Sequence, residues 1–357
     1  MEKIYIMSDK MHDECGVMGI YNPDGDDVSQ YIYYGLYSLQ HRGQESCGMA
    51  LYKEEDISYF KRMGLVSEVF NNKRLSKLPG NVGIGHVRYS TTGESAFANI
   101  QPLAVKYRKG SIALAHNGNL VNADSIREML EEEGVIFQTT VDTEVIANLL
   151  ARYHKNEIES AMRKVLGIVK GAYSLVILIG GSLIGVRDTY GIRPLCLGKI
   201  GNSYVLASET CALDTIGADF IREIEPGEMV IINQEGIKSV NSDKLARKAS
   251  CIFEHVYFAR PDSILDGINA HTYRFKTGKI LAEEAPVEAD MVIAVPDSGV
   301  PAAIGFSEAS GIPYGVGLIK NRYIGRTFIQ PNQQLREQAF QICLYPKKIK
   351  HQNYQDL

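Results

Sequence analysis

The sequence predicts two consecutive domains: an α+β domain of packed antiparallel sheets with helices outside, then the opening of a parallel α/β sheet. Three observations carry this. Over the first two-thirds, short apolar runs alternate with Gly, Asn, Asp and Pro clusters, the pattern of strands joined by tight turns. After Cys251 the order becomes strand, loop, helix, strand, as in a parallel sheet with crossover helices. A length of 357 residues with 45% hydrophobic content suffices for two buried cores.

The elements follow in order. Apolar runs predict strands at 15–21, 47–53, 82–89, 111–116, 172–178, 182–187, 203–208 and 228–233. Val28, Tyr31, Ile32, Gly35, Leu36 and Leu39 fall at helical spacing and predict a helix over 28–40. Further helices are predicted over 123–133, 142–154 and 157–168. Gln234 to Ser250 is polar and reads as a linker. Beyond it, 274–285 predicts a helix, MVIAV (291–295) a strand, PDSG a loop, PAAIGFSEASG (301–311) a helix and 313–319 another strand. Only two or three strands fit, so this sheet reads as unfinished. The last segment, LYPKKIKHQNYQDL, is polar and basic with neither helical nor strand period.

Composition narrows the function classes. A formal charge of −4 provides no broad electrostatic footprint for nucleic acid or an anionic membrane. The longest apolar stretch, Ser174 to Val186, is too short and glycine-rich to span a bilayer. Six cysteines, at 15, 47, 196, 211, 251 and 343, are scattered without a CxxC pair. That spacing points to reduced thiols and a cytoplasmic location.

Cys15 has two readings. A cysteine in an apolar strand is commonly core. With residues 1–14 removed, the same residue would carry both a thiol and a free α-amine, and a neutral amine can act as base for its own thiol. A lipoprotein signal does not fit, because the leader holds Lys3, Asp9, Lys10, Asp13 and Glu14 and no sustained apolar run. Other residues have similar pairs of readings. Arg88 in HVRYST is either an exposed strand-end arginine or a planar fork for a carboxylate. Asn117–Gly118 in HNGN is a hairpin signal, or two donors aimed at one oxyanion. Asp142 sits where a helix N-cap belongs, or offers a carboxylate to a ligand ammonium. Together these parts suit an α-amino acid bearing a side-chain amide, and so the hydrolysis of glutamine.

CGVMGI, LQHRGQES (39–46), GLVSEVF (64–70), GIGHVRYST, LAHNGNLVNA (114–123) and TTVDTE resemble the class II glutamine amidotransferase domain. More closely, the chain is similar to the glutamine phosphoribosylpyrophosphate amidotransferase family of purine synthesis. That similarity runs on through RDTYGIRPL (187–195), ASETCALD (207–214), REIEPGEM (222–229), YFARPDSILDGINAH (257–271), AVPDSGVPAAIGFSEASGIPY and LIKNRYIGRTFIQP (318–331), to about Gln338.

The resemblance implies a four-layer αββα N-terminal nucleophile hydrolase sandwich followed by an incomplete α/β phosphoribosyltransferase domain. Its implied bounds are a propeptide at 1–14, a glutaminase domain at 15–233, a linker at 234–250, a partial transferase domain at 251–338 and a divergent tail at 339–357. Carried over by motif, Cys15 is the nucleophile and Arg88 binds the glutamine carboxylate. Asn117 and Gly118 form the oxyanion hole, and Asp142 takes the ammonium. Ser298 matches a magnesium ligand. Lys320, Arg322, Tyr323 and Arg326 fall in a loop that closes over phosphoribosylpyrophosphate and helps form an ammonia channel. Cys251 matches the first of four ligands to a [4Fe–4S] cluster in one branch of the family. The implied partners are glutamine, phosphoribosylpyrophosphate and further copies of the chain, as tetramers, with no nucleic acid or membrane.

The match stops after LREQ (335–338). The Asp-Asp and Thr-rich pyrophosphate signature and three further cluster cysteines are not met downstream, and Cys343 matches none of them. The expectation is therefore an Mg2+ site that is incomplete, no assembled cluster, Cys251 as a plain core thiol, and a tail that reads like a shifted frame. It includes glutamine hydrolysis without phosphoribosylamine synthesis by this chain alone. The alternative is a silent or glutaminase-only fragment that binds glutamine or an intact paralogue. A sugar-phosphate aminating enzyme is disfavoured by IKNRYIGRTFIQP.

Overall fold

The computed structural model describes residues 15–89, 96–241, 247–320 and 344–346. Two compact units emerge. The described residues up to Ser250, less Glu209–Cys211, form the first, and those three with the residues from Cys251 onward form the second.

The first unit holds thirteen of the described strands and is built around two antiparallel sheets. In chain order these are β1 (Gly16–Tyr21), β2 (Ser46–Lys53), β3 (Asp56–Met63), β4 (Val82–Arg88), β5 (Leu103–Tyr107), β6 (Gly110–Leu120) and β7 (Gly171–Ile179). There follow β8 (Ser182–Arg187), β9 (Cys196–Ile200), β10 (Ser203–Ala207), β11 (Asp219–Glu223), β12 (Glu228–Asn233) and β13 (Gly236–Asn241). One sheet has the order β11-β9-β10-β1-β4-β2-β3 and the other β13-β12-β8-β7-β6-β5. Helix α1 (Ser29–Ser38) lies on β1 and β4. Single turns α2 (Val66–Val69) and α3 (Asn72–Leu75) follow β3. Helices α4 (Ala123–Glu132), α5 (Thr143–Tyr153) and α6 (Ile158–Ile168) cover the six-stranded sheet, and α7 (Thr210–Ile216) follows β10.

Period-two alternation builds the layers. Along β7, Tyr173, Leu175, Ile177 and Ile179 pack toward α4, α5 and α6, while Val176 and Leu178 face the other sheet. Along β6, Ile112 and Leu114 take the helix side, and Ala113 and Ala115 the sheet side. The sheet-to-sheet core joins these to Val17, Ala50, Val82 and Ile84 of the seven-stranded sheet. The result is the αββα sandwich of N-terminal nucleophile hydrolases.

Two readings need correction here. Asn117 and Gly118 are not in a hairpin turn. They lie inside β6, which stays paired with β7 through Leu120 opposite Gly171. The stretch 234–250 is not linker throughout, since Gly236–Asn241 pairs with β12 along its whole length. Its alternating pattern is masked by a polar outward face, as suits an edge strand.

In the second unit, α8 (Ala270–Glu284) and α9 (Val300–Ser310) pack closely. A Cβ on Gly278 would lie 1.9 Å from the Ala302 carbonyl oxygen, so the two backbones nearly touch. A hairpin joins β14 (Ile264–Leu265) to β15 (Ile268–Asn269). β16 (Val292–Ile293) pairs in parallel with β17 (Tyr314–Gly315) across α9, the parallel start read from the sequence. β18 (Leu318–Lys320) pairs with β19 (Leu344–Pro346), a strand of three residues in a segment that showed no period because it is too short to show one.

Leu178 is fully buried between the sheets. Leu178→Ala is expected to cost about 3 kcal/mol and lower the melting temperature by roughly 6–12 °C. A fall below ~2 °C in thermal unfolding would place Leu178 outside the sheet-to-sheet core.

Candidate active site

The same alternation carries polar side chains into the space between the sheets at one end. On β4, Val82 and Ile84 face that space, so His86 and Arg88 do too. On β6, Asn117 follows Ala113 and Ala115, and on β7, Ser174 follows Val176 and Leu178. Cys15 immediately precedes β1 on the face of Val17. Since Gly16 opposes Val87, Cys15 is level with Arg88, and Ser46 opposes Arg88 from the other side.

Cys15 is buried, its Sγ 3.5 Å from the Tyr89 carbonyl oxygen. The Arg42 Nε donates to the Cys15 carbonyl at 3.0 Å. Burial pushes the thiol up to about 11, against the smaller opposing pull of the Tyr89 contact and of Arg88 and Arg42. A thiol held protonated in this way acts as a nucleophile with the help of a base beside it.

Arg88 is 2% exposed, not the solvent-facing strand end that composition alone favours. Its guanidinium meets Glu45 Oε1 at 3.1 Å. Lys61, half-buried and near Arg88, donates to the Ile100 carbonyl oxygen, and desolvation followed by the Arg88 charge pulls it down to about 8.

Asn117 is fully buried, and neither its Nδ2 nor its Oδ1 has a hydrogen-bond partner among the described residues. Gly118 has φ +138°, and a Cβ there would sit 2.0 Å from the Ala172 carbonyl oxygen. Tyr173, opposite Gly118, turns its backbone toward β8: its C=O accepts from Asp188 N–H at 2.8 Å and its N–H donates to Asp188 Oδ2. That makes Gly118–Tyr173 a pair of the kind that exchanges no ladder bonds. The Gly118 N–H is left pointing away from β7, beyond Leu114, where pairing with β5 ends.

Asp142 occupies the N-cap position of α5 without a side-chain cap bond. Its Oδ2 instead accepts from Leu120 N–H at 2.9 Å, and its Oδ1 lies 3.2 Å from His116 Nδ1. Burial opposes ionisation, but the His116 ring and the backbone N–H groups outweigh it and hold the carboxyl below the usual range. The His116 Nδ1 in turn lies 3.2 Å from Thr143 Oγ1, and the His116 backbone N–H donates to Gln101 Oε1.

Cys15, Arg88, Asn117, Gly118 and Asp142 are thus carried to one end of one sandwich. The sequence reading missed Arg42, Glu45, His86 and His116. Period two offered a signal for His86, which precedes Arg88 by two residues. A cavity of about 690 Å³ against α6 and the ends of β7 and β8 includes none of the five.

The transferase-side residues are described separately. Ser298 is half-buried in the turn between β16 and α9, beside Asp297, whose carboxylate meets Lys320 Nζ. Arg322, Tyr323 and Arg326 lie outside the described residues. No cluster of three or more His, Cys, Asp or Glu side chains occurs among the described residues. Cys251 is half-buried rather than core, a free thiol in no such cluster.

On this sandwich a glutamine amidotransferase domain model matches residues 86–215, the span that holds Arg88, Asn117, Gly118 and Asp142. Amidophosphoribosyltransferase of Bacillus subtilis (strain 168) is 50% identical over 335 residues, covering 94% of this chain and 70% of that protein. That of Archaeoglobus fulgidus is 51% identical over 330 residues, 92% of this chain and 72% of the relative. The solved glutamine phosphoribosylpyrophosphate amidotransferase from B. subtilis, complexed with ADP and GMP, superposes with a TM-score of 0.84 at 50% identity. It matches 93% of this chain and 72% of its own. The chain belongs to the amidophosphoribosyltransferase family. Among the described residues no helix is long and apolar enough to cross a membrane.

Asp142 supports a pH prediction. Its folded-state pKa lies below the ordinary ~3.9, so the ionised form adds stability above about pH 4 that is lost as pH falls through the depressed value. The unfolding free-energy gap between wild type and Asp142→Asn should be constant above about pH 5 and narrow below about pH 4. A gap that widens on acidification would contradict the assigned ionisation. Alkylation offers a second check: in the leader-bearing chain, the Cys15 rate with iodoacetamide should rise with pH toward a midpoint of about 11.

Proposed function

We propose that this chain generates ammonia from glutamine at Cys15 and, as an amidophosphoribosyltransferase, serves the amination of phosphoribosylpyrophosphate. The single observation that carries the glutaminase step is the Asn117 amide, fully buried with both polar atoms unpartnered among the described residues. Such a group needs a partner, and the oxyanion of a tetrahedral intermediate is one.

Removal of residues 1–14 frees the Cys15 α-amine, which takes the thiol proton as the sulfur attacks the glutamine amide carbon. The oxyanion receives hydrogen bonds from Asn117 Nδ2 and the Gly118 N–H. As the carbon–nitrogen bond breaks, the ammonium of Cys15 returns the proton to the leaving nitrogen, releasing ammonia and leaving a γ-glutamyl thioester on sulfur. Water, deprotonated by the same amine, cleaves the thioester to glutamate and thiol. Arg88 holds the substrate α-carboxylate as a planar fork, and Asp142 its α-ammonium.

Ammonia released into water would largely protonate and lose its nucleophilicity, so the family couples release to use through a channel. Lys320, which ends β18 rather than lying in a loop, is proposed with Arg322, Tyr323 and Arg326, which lie outside the described residues, to contact phosphoribosylpyrophosphate. The overall reaction is glutamine, phosphoribosylpyrophosphate and water to 5-phosphoribosylamine, glutamate and pyrophosphate. A cytoplasmic homo-oligomer belongs to the same proposal.

The test is steady-state glutamine hydrolysis by the processed chain, with mass spectrometry confirming a free Cys15 amine. Cys15→Ala should abolish turnover. Asn117→Ala should lower kcat by about 100- to 1,000-fold, the range for removal of one oxyanion donor. Retained hydrolysis in Cys15→Ala would overturn the mechanism.

A further inference from the structure

His86 is fully buried between the sheets, and no role falls to it in glutamine hydrolysis as set out above. Its Nε2 lies 3.0 Å from the carbonyl oxygen of His116. A carbonyl only accepts, so Nε2 carries the proton and the ring donates from β4 to β6. Burial, ahead of every other influence, drives the ring down to about 3, so it stays neutral and keeps that tautomer across the working pH range. The acceptor is the carbonyl of the peptide bond that leads into Asn117. His86 lies two residues from Arg88 on the same face, and Arg88 is level with Cys15. This one ring therefore links the sheet that carries the nucleophile to the peptide unit immediately preceding the proposed oxyanion donors, Asn117 Nδ2 and the Gly118 N–H.

We propose that His86 is a positioning residue for glutamine hydrolysis, its Nε2–H bond to the His116 carbonyl setting the distance of Asn117 and Gly118 from Cys15; the inference rests on the glutaminase reading of this site. Each sheet is rigid internally, so relative placement of the two catalytic halves depends on what crosses between them. The cross-sheet core is largely apolar, whereas a hydrogen bond fixes both distance and direction. The other polar links start from β3: Asp56 to Lys106 and Ser111 at the far end of the layer, and Lys61 to the Ile100 carbonyl. None of them reaches the peptide next to Asn117. A misplaced oxyanion hole weakens transition-state binding while leaving the Arg88 and Asp142 contacts to the ground state in place.

Two variants separate this from a packing role. His86→Gln places an amide N–H at about the reach of Nε2, and His86→Asn places one only at the level of Nδ1. Hydrolysis by the processed chain should show kcat within about fivefold of wild type for His86→Gln and at least ~30-fold lower for His86→Asn. The KM for glutamine and the inhibition constant of glutamate should stay within about threefold in both. Equal losses in the two variants, or a loss confined to KM, would overturn the proposal. If His86→Asn fails to melt cooperatively, His86→Gln decides alone, and a ~30-fold loss of kcat in a folded His86→Gln overturns it. A processed wild type that hydrolyses no glutamine defeats the reading of the site itself, and the wild-type control distinguishes that result.

Discussion

Everything in the glutaminase unit depends on two antiparallel sheets meeting face to face across one layer of side chains. Along most of its length that layer is apolar, filled by residues such as Val17, Ala50, Ile84, Ala113, Val176 and Leu178. The strict period of two that packs these residues also decides what appears where the apolar filling ends. Extend β1, β4, β6 and β7 one or two positions and the same faces present Cys15, Arg88, Asn117 and Ser174. The site continues the core in polar residues, and so shares its burial.

That burial sets the electrostatics. In such a layer each group is pushed toward its neutral form unless a partner intervenes. Cys15 is held as a thiol, His86 as a neutral ring, and Lys61 is weakened as an acceptor of protons. Asp142 escapes because His116 and the Leu120 N–H stabilise its charge. Arg88 stays beside Glu45, whose carboxylate meets the guanidinium. The polar atoms with no partner among the described residues include both ends of the Asn117 amide and the hydroxyls of Ser46 and Ser174, all three residues facing the same layer. Burying such groups unpaired costs about 1–3 kcal/mol each. That cost makes sense where a polar substrate or its transition state is meant to take up the bonds.

Much of this was legible in the sequence. The central strands were visible as apolar runs because both their faces are buried. The unforeseen strands β3, β5, β11 and β13 are the four sheet edges, and β9 lies next to one. Their charged residues, as in DISYFKRM and DFIRE, serve an edge that must not pair further and hide the alternation. Asn117–Gly118 misled for a related reason. A positive φ is the mark of a tight turn, but here a glycine takes it within a paired strand, where Ala172 leaves no room for a Cβ. Arg88 and Asp142 could be nominated by chemistry alone, whereas Glu45 and His116 become visible only once the strands are stacked.

The raised thiol fits an N-terminal nucleophile better than a histidine-activated one. A base on another strand would have to be buried beside Cys15 and would itself be driven to resist protonation, as His86 is. An α-amine on the nucleophile's own residue feels the same burial, which keeps it neutral and so able to accept a proton. Its advantage under the proposed mechanism is placement: it is covalently fixed within reach of the sulfur and occupies space the preceding peptide bond had filled, so no second residue has to be positioned beside Cys15.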